Sequence, residues 1–266
     1  MTIEEMKKKK QEWGYTNALV AQMAELPLAT VQKIFSGETK SPRYETLDAL
    51  ERVFRKEVRF VREPVTTYGN AARSKEGGRF TVEDWFNLPD GVRAELIDGV
   101  LFEMQSPSAP HQLIAAEIHR QVANYIYDRG GACTPFIAPL GVQLDRDDYT
   151  MLEPDMLIVC DPSLILRKCI YGAPDFVLEV LSPSNRGKDL LLKLTKYREA
   201  GVREYWVLDP DKRTLMVYFF EEEDFLTIYD LNTVPEPVPV RIYGGELAIR
   251  MDRICRWVAE GAFPEE

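Results

Sequence analysis

Histidine is almost missing from this chain. His111 and His119 are the only two in 266 residues. They lie too far apart for the one-turn helical pair of a zinc protease, which argues against a zinc hydrolase. Cysteine is also sparse. Cys133, Cys160, Cys169 and Cys255 form no CxxC pair, so they read as reduced, structural thiols of a cytoplasmic protein. No apolar run approaches the roughly 20 residues needed to cross a bilayer, and a membrane partner is not expected. Lys7 to Lys10 could begin a secretory signal, but the polar stretch from Gln11 to Asn17 cannot supply its apolar section. There is no internal repeat.

What is present points to two globular pieces. Residues 1–62 hold 12 basic and 9 acidic side chains, whereas the remainder holds 21 and 34, within a net charge of −10. The front piece could therefore meet phosphates directly. The rear piece would need help, and a metal ion at an acidic cluster is one form of it. Residues 63–79 show little apolar periodicity and read as a linker. Residues 80–266 then form the second domain.

The front piece reads as helices. Asn17 can cap a segment from Ala18 to about Glu25, and Leu26-Pro27-Leu28 makes a tight turn. A second short helix runs from Ala29 to Phe35 and ends at Gly37, and Pro42 opens a third. Leu19, Met23, Leu28, Val31, Ile34, Leu47, Leu50 and Val53 would supply the core. Two short helices joined by a turn make a helix-turn-helix. Thr30, Gln32 and Lys33 would then face base edges, and Lys40, Arg43 and Asn17 would contact phosphates. A small helical bundle used for dimerisation is the alternative. Residues 14–56 resemble the phage-repressor-like helix-turn-helix family, although Leu26-Pro27-Leu28 stands where that family usually has a glycine.

The rear piece mixes strands and helices, as expected for an α/β (α+β) fold around a mixed sheet. Ala94 to Met104 reads as a hairpin turning at Asp98-Gly99. Residues 111–128 form a helix whose buried stripe includes Leu113-Ile114, Ile118, Val122 and Tyr125-Ile126. Strands follow near 135–144, 155–160 and 176–181, a helix near 188–200, then strands near 204–209 and 214–220.

Two strand segments carry the chemistry: Glu153-Pro-Asp-Met-Leu-Ile-Val and Asp175-Phe-Val-Leu-Glu-Val-Leu-Ser-Pro-Ser. Asp155 opens the first apolar run and Glu179 sits inside the second. A carboxylate there is costly unless something pairs with it. If the strands are neighbours, Asp155 and Glu179 can share one Mg2+ (or Mn2+), with the Val180 carbonyl as a further ligand. A divalent cation neutralises a phosphodiester and acidifies a bound water. Lys193, beside the apolar face formed by Leu190, Leu194 and Tyr197, can stabilise charge in the transition state. Lys188 and Lys196 compete for that role, and Asp189 could orient Lys193.

Glu95-Leu-Ile-Asp-Gly99, His111, Pro154-Asp155, Gly172-Ala-Pro-Asp175, Glu179-Val-Leu-Ser-Pro-Ser184 and the stretch from Lys193 to Trp206 resemble the Uma-type restriction endonucleases of the PD-(D/E)XK superfamily. The resemblance covers about residues 80–258. It implies a restriction-endonuclease-like mixed sheet, Asp155 and Glu179 as metal ligands, and Glu95 and His111 lining the pocket. It also implies DNA as substrate and a homodimer. The superfamily's usual lysine position, two after the glutamate, is Leu181 here. Similar families take the lysine from the following helix, which fits Lys193.

Simpler roles stand beside these. Asp155 could bind a backbone amide, and Glu179 could pair with an arginine. Lys193 could be a solvated surface lysine, Glu95 an exposed hairpin residue, and His111 a helix-start residue. Asp145, Asp147 and Asp148 read as a solvated loop. The rival function is a DNA-binding transcriptional regulator whose nuclease-like domain has lost catalysis.

Overall fold

The computed structural model describes residues 2–12, 17, 20–21, 24, 26–39, 42–54, 72–73, 78–182, 192–222, 226–233 and 236–259. The chain divides into two compact units, Met1–Glu63 and Pro64–Glu266. Among the described residues no helix is long and apolar enough to cross a membrane.

The front unit contains α1 (Ile3–Glu12), α2 (Leu28–Ser36) and α3 (Tyr44–Phe54). Helix α2 stops at Gly37, whose φ of 84° suits a residue without Cβ. Val31 and Ile34 of α2 pack with Val20, Leu50 and Phe54, and Met6 of α1 joins them. The sequence reading missed α1. Leu28 is 42% exposed rather than part of the core, because it sits at the first position of α2 where the helix faces solvent. Asn17 is itself helical rather than the residue before a helix. Leu19 and Met23 lie outside the described residues.

The rear unit begins earlier than expected. Ala72–Arg73 form β1 inside the stretch read as a linker and pair antiparallel with β3. Next come α4 (Val82–Phe86), β2 (Ala94–Ile97), β3 (Val100–Glu103), α5 (Ala109–Asp128), β4 (Thr134–Ile137), β5 (Val142–Gln143), β6 (Met156–Val159), β7 (Ile170–Tyr171) and β8 (Phe176–Val180). After these follow α6 (Leu194–Ala200), β9 (Glu204–Asp209), β10 (Thr214–Phe219), β11 (Leu226–Asp230), β12 (Val238–Val240), β13 (Leu247–Ile249) and α7 (Asp252–Ala259). Helix α4 starts with a capping box, in which the Thr81 hydroxyl accepts from Asp84 N and Asp84 accepts from Thr81 N. The hairpin turn also falls where read: Asp98 and Gly99 both have positive φ, 51° and 82°.

The main sheet has six strands in the order β11-β10-β9-β8-β6-β4. Only β8 and β9 run parallel; the other neighbours are antiparallel. Period-two alternation assigns its faces. Phe176, Leu178 and Val180 of β8 join Met156, Ile158, Trp206 and Leu208 beneath Ile114, Ile118 and Val122 of α5. Val177 and Glu179 point the other way, with their cross-strand partners Tyr205 and Val207. Helix α6 covers that second face, and Tyr197 packs on Tyr205, which stacks on Tyr218. The fold is therefore α+β, a mixed sheet flanked by helices. Two details of α5 differ from the reading: Leu113 is 39% exposed and Tyr125 only half-buried, since both lie at the margins of the apolar stripe.

The cysteine expectation fails at one pair. Thr134 stands opposite Val159 in the β4–β6 ladder, so one further step brings Cys133 opposite Cys160, and the two form a disulfide with Cα atoms 3.9 Å apart. Cys169 and Cys255 are free thiols.

Candidate active site

Strand register places the two predicted acids. In the β6–β8 ladder Met156 faces Leu178. Continuing that antiparallel register by one residue sets Asp155 opposite Glu179. Asp155 sits in a bend just before β6, half-buried, and its Oδ2 accepts the Val180 N–H at 2.7 Å. The backbone-amide role considered for Asp155 is therefore real. It also aims the carboxylate at the residue next to Glu179. The contact recorded at Val180 involves its N–H, not the carbonyl expected as a ligand.

Glu179 is 2% exposed, Glu95 0% and Lys193 1%. Lys193 Nζ lies 2.7 Å from Oε1 of both carboxylates. This removes three of the simpler roles. Lys193 is not a solvated lysine, Glu95 is not an exposed hairpin residue, and the cation at Glu179 is a lysine rather than an arginine. Each follows from packing: β2 and α6 close over the same end of β8, so side chains that look peripheral in sequence become interior. Glu95 Oε1 also accepts the Glu153 N–H at 3.2 Å, and Arg93 clamps Glu153 at 2.6 Å.

His111 enters from the first turn of α5, buried, with Nε2 3.1 Å from Asp155 Oδ2. Its own N–H is capped by Ser108. The contacts of the five predicted catalytic residues form two groups, Asp155 with His111 and Glu95–Lys193–Glu179, and the Asp155 bond to the Val180 N–H runs to the residue next to Glu179. One ammonium between two buried carboxylates leaves a formal negative excess, a setting that favours a further cation.

Sequence reasoning missed Tyr197 as a polar partner. Its hydroxyl donates to Glu179 Oε1 at 2.8 Å, and burial followed by the Glu179 charge pushes its pKa well above the usual phenol value, so it remains a donor. The available signal was spacing: Tyr197 lies four residues after Lys193, on the same helix face. Lys196 was weighed for the catalytic role, yet its Nζ bonds Asp98 at 2.5 Å and Asp145 at 2.8 Å. Burial works against its charge, but the bonds to Asp145 and Asp98 outweigh it and raise its pKa. Asp145 is correspondingly not a solvated loop residue. Lys188, Asp189 and Leu190 lie outside the described residues.

Among the described residues no three His, Cys, Asp or Glu side chains are grouped so as to hold a metal ion. Two carboxylates are nevertheless enough for Mg2+, which keeps several waters and uses one or two protein oxygens. Asp155 and Glu179 fit that donor chemistry, although Glu179 Oε1 shares Lys193 with Glu95 and also holds Tyr197, and Asp155 Oδ2 holds the Val180 N–H and His111.

In the front unit Gln32, Lys33 and Arg43 are exposed and Thr30 and Asn17 half-buried, and Lys33 pairs with Glu38 at 3.5 Å. Lys40 lies outside the described residues.

Residues 82–244 match the Uma2 family, described as "Putative restriction endonuclease". The solved structure of a "putative nuclease belonging to DUF820" from Anabaena variabilis ATCC 29413 shares the fold, with a TM-score of 0.55 and 22% identity over 67% of this chain and 99% of that one. No curated protein matches this chain.

Proposed function

The chain belongs to the Uma2 family, and from that premise we propose that it is a metal-dependent endonuclease hydrolysing DNA phosphodiester bonds. What supports this reading is a register that, extended by one residue, sets Asp155 across from Glu179, together with the buried ammonium of Lys193 on Glu179. Asp155 and Glu179 would hold Mg2+ or Mn2+. Such an ion, when bound, neutralises charge on the phosphodiester and lowers the pKa of a coordinated water.

The remaining work falls to the chain. The Val180 N–H and His111 fix the orientation of Asp155. Tyr197 and Lys193 fix Glu179. Lys193 keeps a positive charge beside the reacting phosphate, where transition-state charge grows, and Glu95 holds it there. The front unit acts as a helix-turn-helix that selects or holds the duplex through Gln32 and Lys33, with Lys40 and Arg43 on phosphates. A homodimer would present two such centres to the two strands.

The test is Mn2+ binding by calorimetry alongside cleavage of plasmid DNA. Asp155→Ala is expected to lose both, and Mn2+ affinity equal to the wild type in that variant would remove Asp155 from the site. One observation favours the rival regulator: the ammonium is closed in by both Glu95 and Glu179, as in a purely structural ion pair. Salt-dependent binding to one duplex sequence, indifferent to Mn2+ and without cleavage, would decide for that rival.

A further inference from the structure

Beyond the two acids and their lysine, the rear unit carries two arginines laid across tyrosine rings. Arg79 Cζ lies 5.3 Å from the centre of the Tyr149 ring, and Arg146 Cζ lies 5.8 Å from that of Tyr171. Both distances are within cation–π range. Both arginines are exposed, and the rings keep 36% and 37% of their surface in solvent.

Each arginine is seated on a glycine. A Cβ on Gly99 would stand 2.5 Å from the Arg79 Cβ, and one on Gly172 would stand 2.7 Å from the Arg146 Nε. Only a residue without a side chain lets the arginine lie that flat.

The loop between the two pairs is fixed. Asp147 Oδ1 accepts from the N–H groups of Tyr149 and Thr150, and Gln143 Nε2 donates to the Asp147 carbonyl. The Tyr171 hydroxyl donates to the Arg146 carbonyl at 3.3 Å, and Gly99 N donates to the Tyr149 carbonyl at 2.8 Å. Arg146 and Tyr149 are three residues apart, so their Cα atoms stand within about 11 Å of each other. Asp145, next to Arg146, holds Lys196, one turn along α6 from Lys193. The Asp145–Lys196 bond thus ties the strand end beside Arg146 to the helix that follows Lys193.

We propose that Arg79, Tyr149, Arg146 and Tyr171 form a docking surface for a single-stranded stretch of nucleic acid, with bases stacked on the ring-backed guanidinium planes and phosphates on the guanidinium edges. The occupant follows from the chemistry. Exposed guanidinium planes held over rings offer stacking only to bases whose faces are open, which a duplex hides. The arginines match phosphate in a unit that is acidic elsewhere. Nearby acids are largely committed: Asp145 to Lys196 and Thr150, Asp147 to backbone amides, and Asp161 to Ser163, although the Asp161 charge also acts on Arg146 and competes there with phosphate. Asp148 stays exposed on the loop and opposes the ligand. The proposal rests on the nucleic-acid reading of the rear unit and narrows it to a local, unpaired segment.

The test uses the full chain in EDTA and a fluorescein-labelled oligothymidylate of roughly 12 nucleotides. Excess unlabelled duplex occupies the front unit, and anisotropy reads binding. Arg79→Ala/Arg146→Ala is expected to weaken binding by about tenfold or more and to make the log–log salt dependence shallower by roughly 1.4. Tyr149→Leu/Tyr171→Leu is expected to weaken it similarly with the salt slope unchanged, while Tyr149→Phe/Tyr171→Phe keeps it. Asp148→Asn should tighten it. Wild-type affinity in the double arginine variant overturns the proposal, as does complete displacement by duplex or equal binding of labelled polyglutamate. The nuclease reading fails separately. A chain that binds in this way but never cleaves keeps the surface and loses the hydrolase. One that cleaves while ignoring the arginine variant does the reverse.

Discussion

Lys193 is the side chain on which the candidate site turns. A lysine at 1% exposure persists only because Glu95 and Glu179 each take a hydrogen-bonded share of its charge. Its removal should therefore be felt twice. Lys193→Met leaves two buried carboxylates facing each other without a cation. Stability in urea is expected to drop by about 3 kcal/mol or more, and single-turnover cleavage by roughly 100-fold or more. Adding Glu95→Gln to Lys193→Met should restore part of the stability and none of the rate. If the single variant melts like the wild type, the buried pairing does not hold the site together. Neither Glu95 nor Lys193 announces burial in sequence. Glu95 alternates with apolar neighbours as an exposed hairpin residue would, and only the closing of β2 onto β8 makes it interior.

At the scale of the element, the sequence was most legible where a local rule and a tertiary need coincide. The hairpin needs positive φ at Asp98 and Gly99, and Asp-Gly is the pair that tolerates it. The apolar runs of β6, β8, β9 and β10 fall within a residue or two of their expected bounds because each is buried on both faces. Helix α1, β1 and the Cys133–Cys160 bridge were illegible for the opposite reason. A two-residue strand or a helix with only Ile3 and Met6 facing inward has almost no pattern of its own. The bridge depends on a register known only after pairing.

Strand β9 carries a further buried acid that pattern alone could not rank. Glu204 accepts from Trp206 Nε1 at 2.6 Å and from Ile242 N at 2.9 Å, tying β9 to the turn at residues 241–243. Burial pushes its pKa up to about 7, against the opposing pull of the Ile242 and Trp206 hydrogen bonds. The folded state therefore holds a proton that the unfolded chain, with a normal carboxyl near 4.5, releases. That contribution is complete below the normal value and fades as pH rises through about 7. It is worth at most about 3 kcal/mol. Thermal melts between roughly pH 5 and pH 8 should show stability falling with pH in the wild type, and a flatter profile in Glu204→Gln. Equal slopes in the two proteins would mean that Glu204 titrates normally.

At the scale of the whole molecule, the chain joins a basic helical unit to an acidic sheet unit, each with its own apolar core. Under the proposed function such an arrangement would divide labour: non-specific attraction to phosphates would belong to the front, and charge compensation at the scissile bond to the rear. The division has a measurable consequence. A chain lacking residues 1–63 should bind long duplex DNA more weakly, with a shallower salt dependence, because the phosphate contacts of the front unit are gone. Metal-dependent cleavage of short substrates at saturating concentration should continue at a similar turnover, since Asp155 with His111, and Glu95 with Lys193 and Glu179, all lie in the rear unit. Gel-shift titration across a range of salt, paired with turnover on a short labelled duplex, separates the two quantities. Unchanged duplex affinity would recast the front unit as a dimerisation bundle, and turnover would then depend on protein concentration in the intact chain. Lost turnover with retained folding would mean that the front unit positions the substrate at the site rather than merely gathering it.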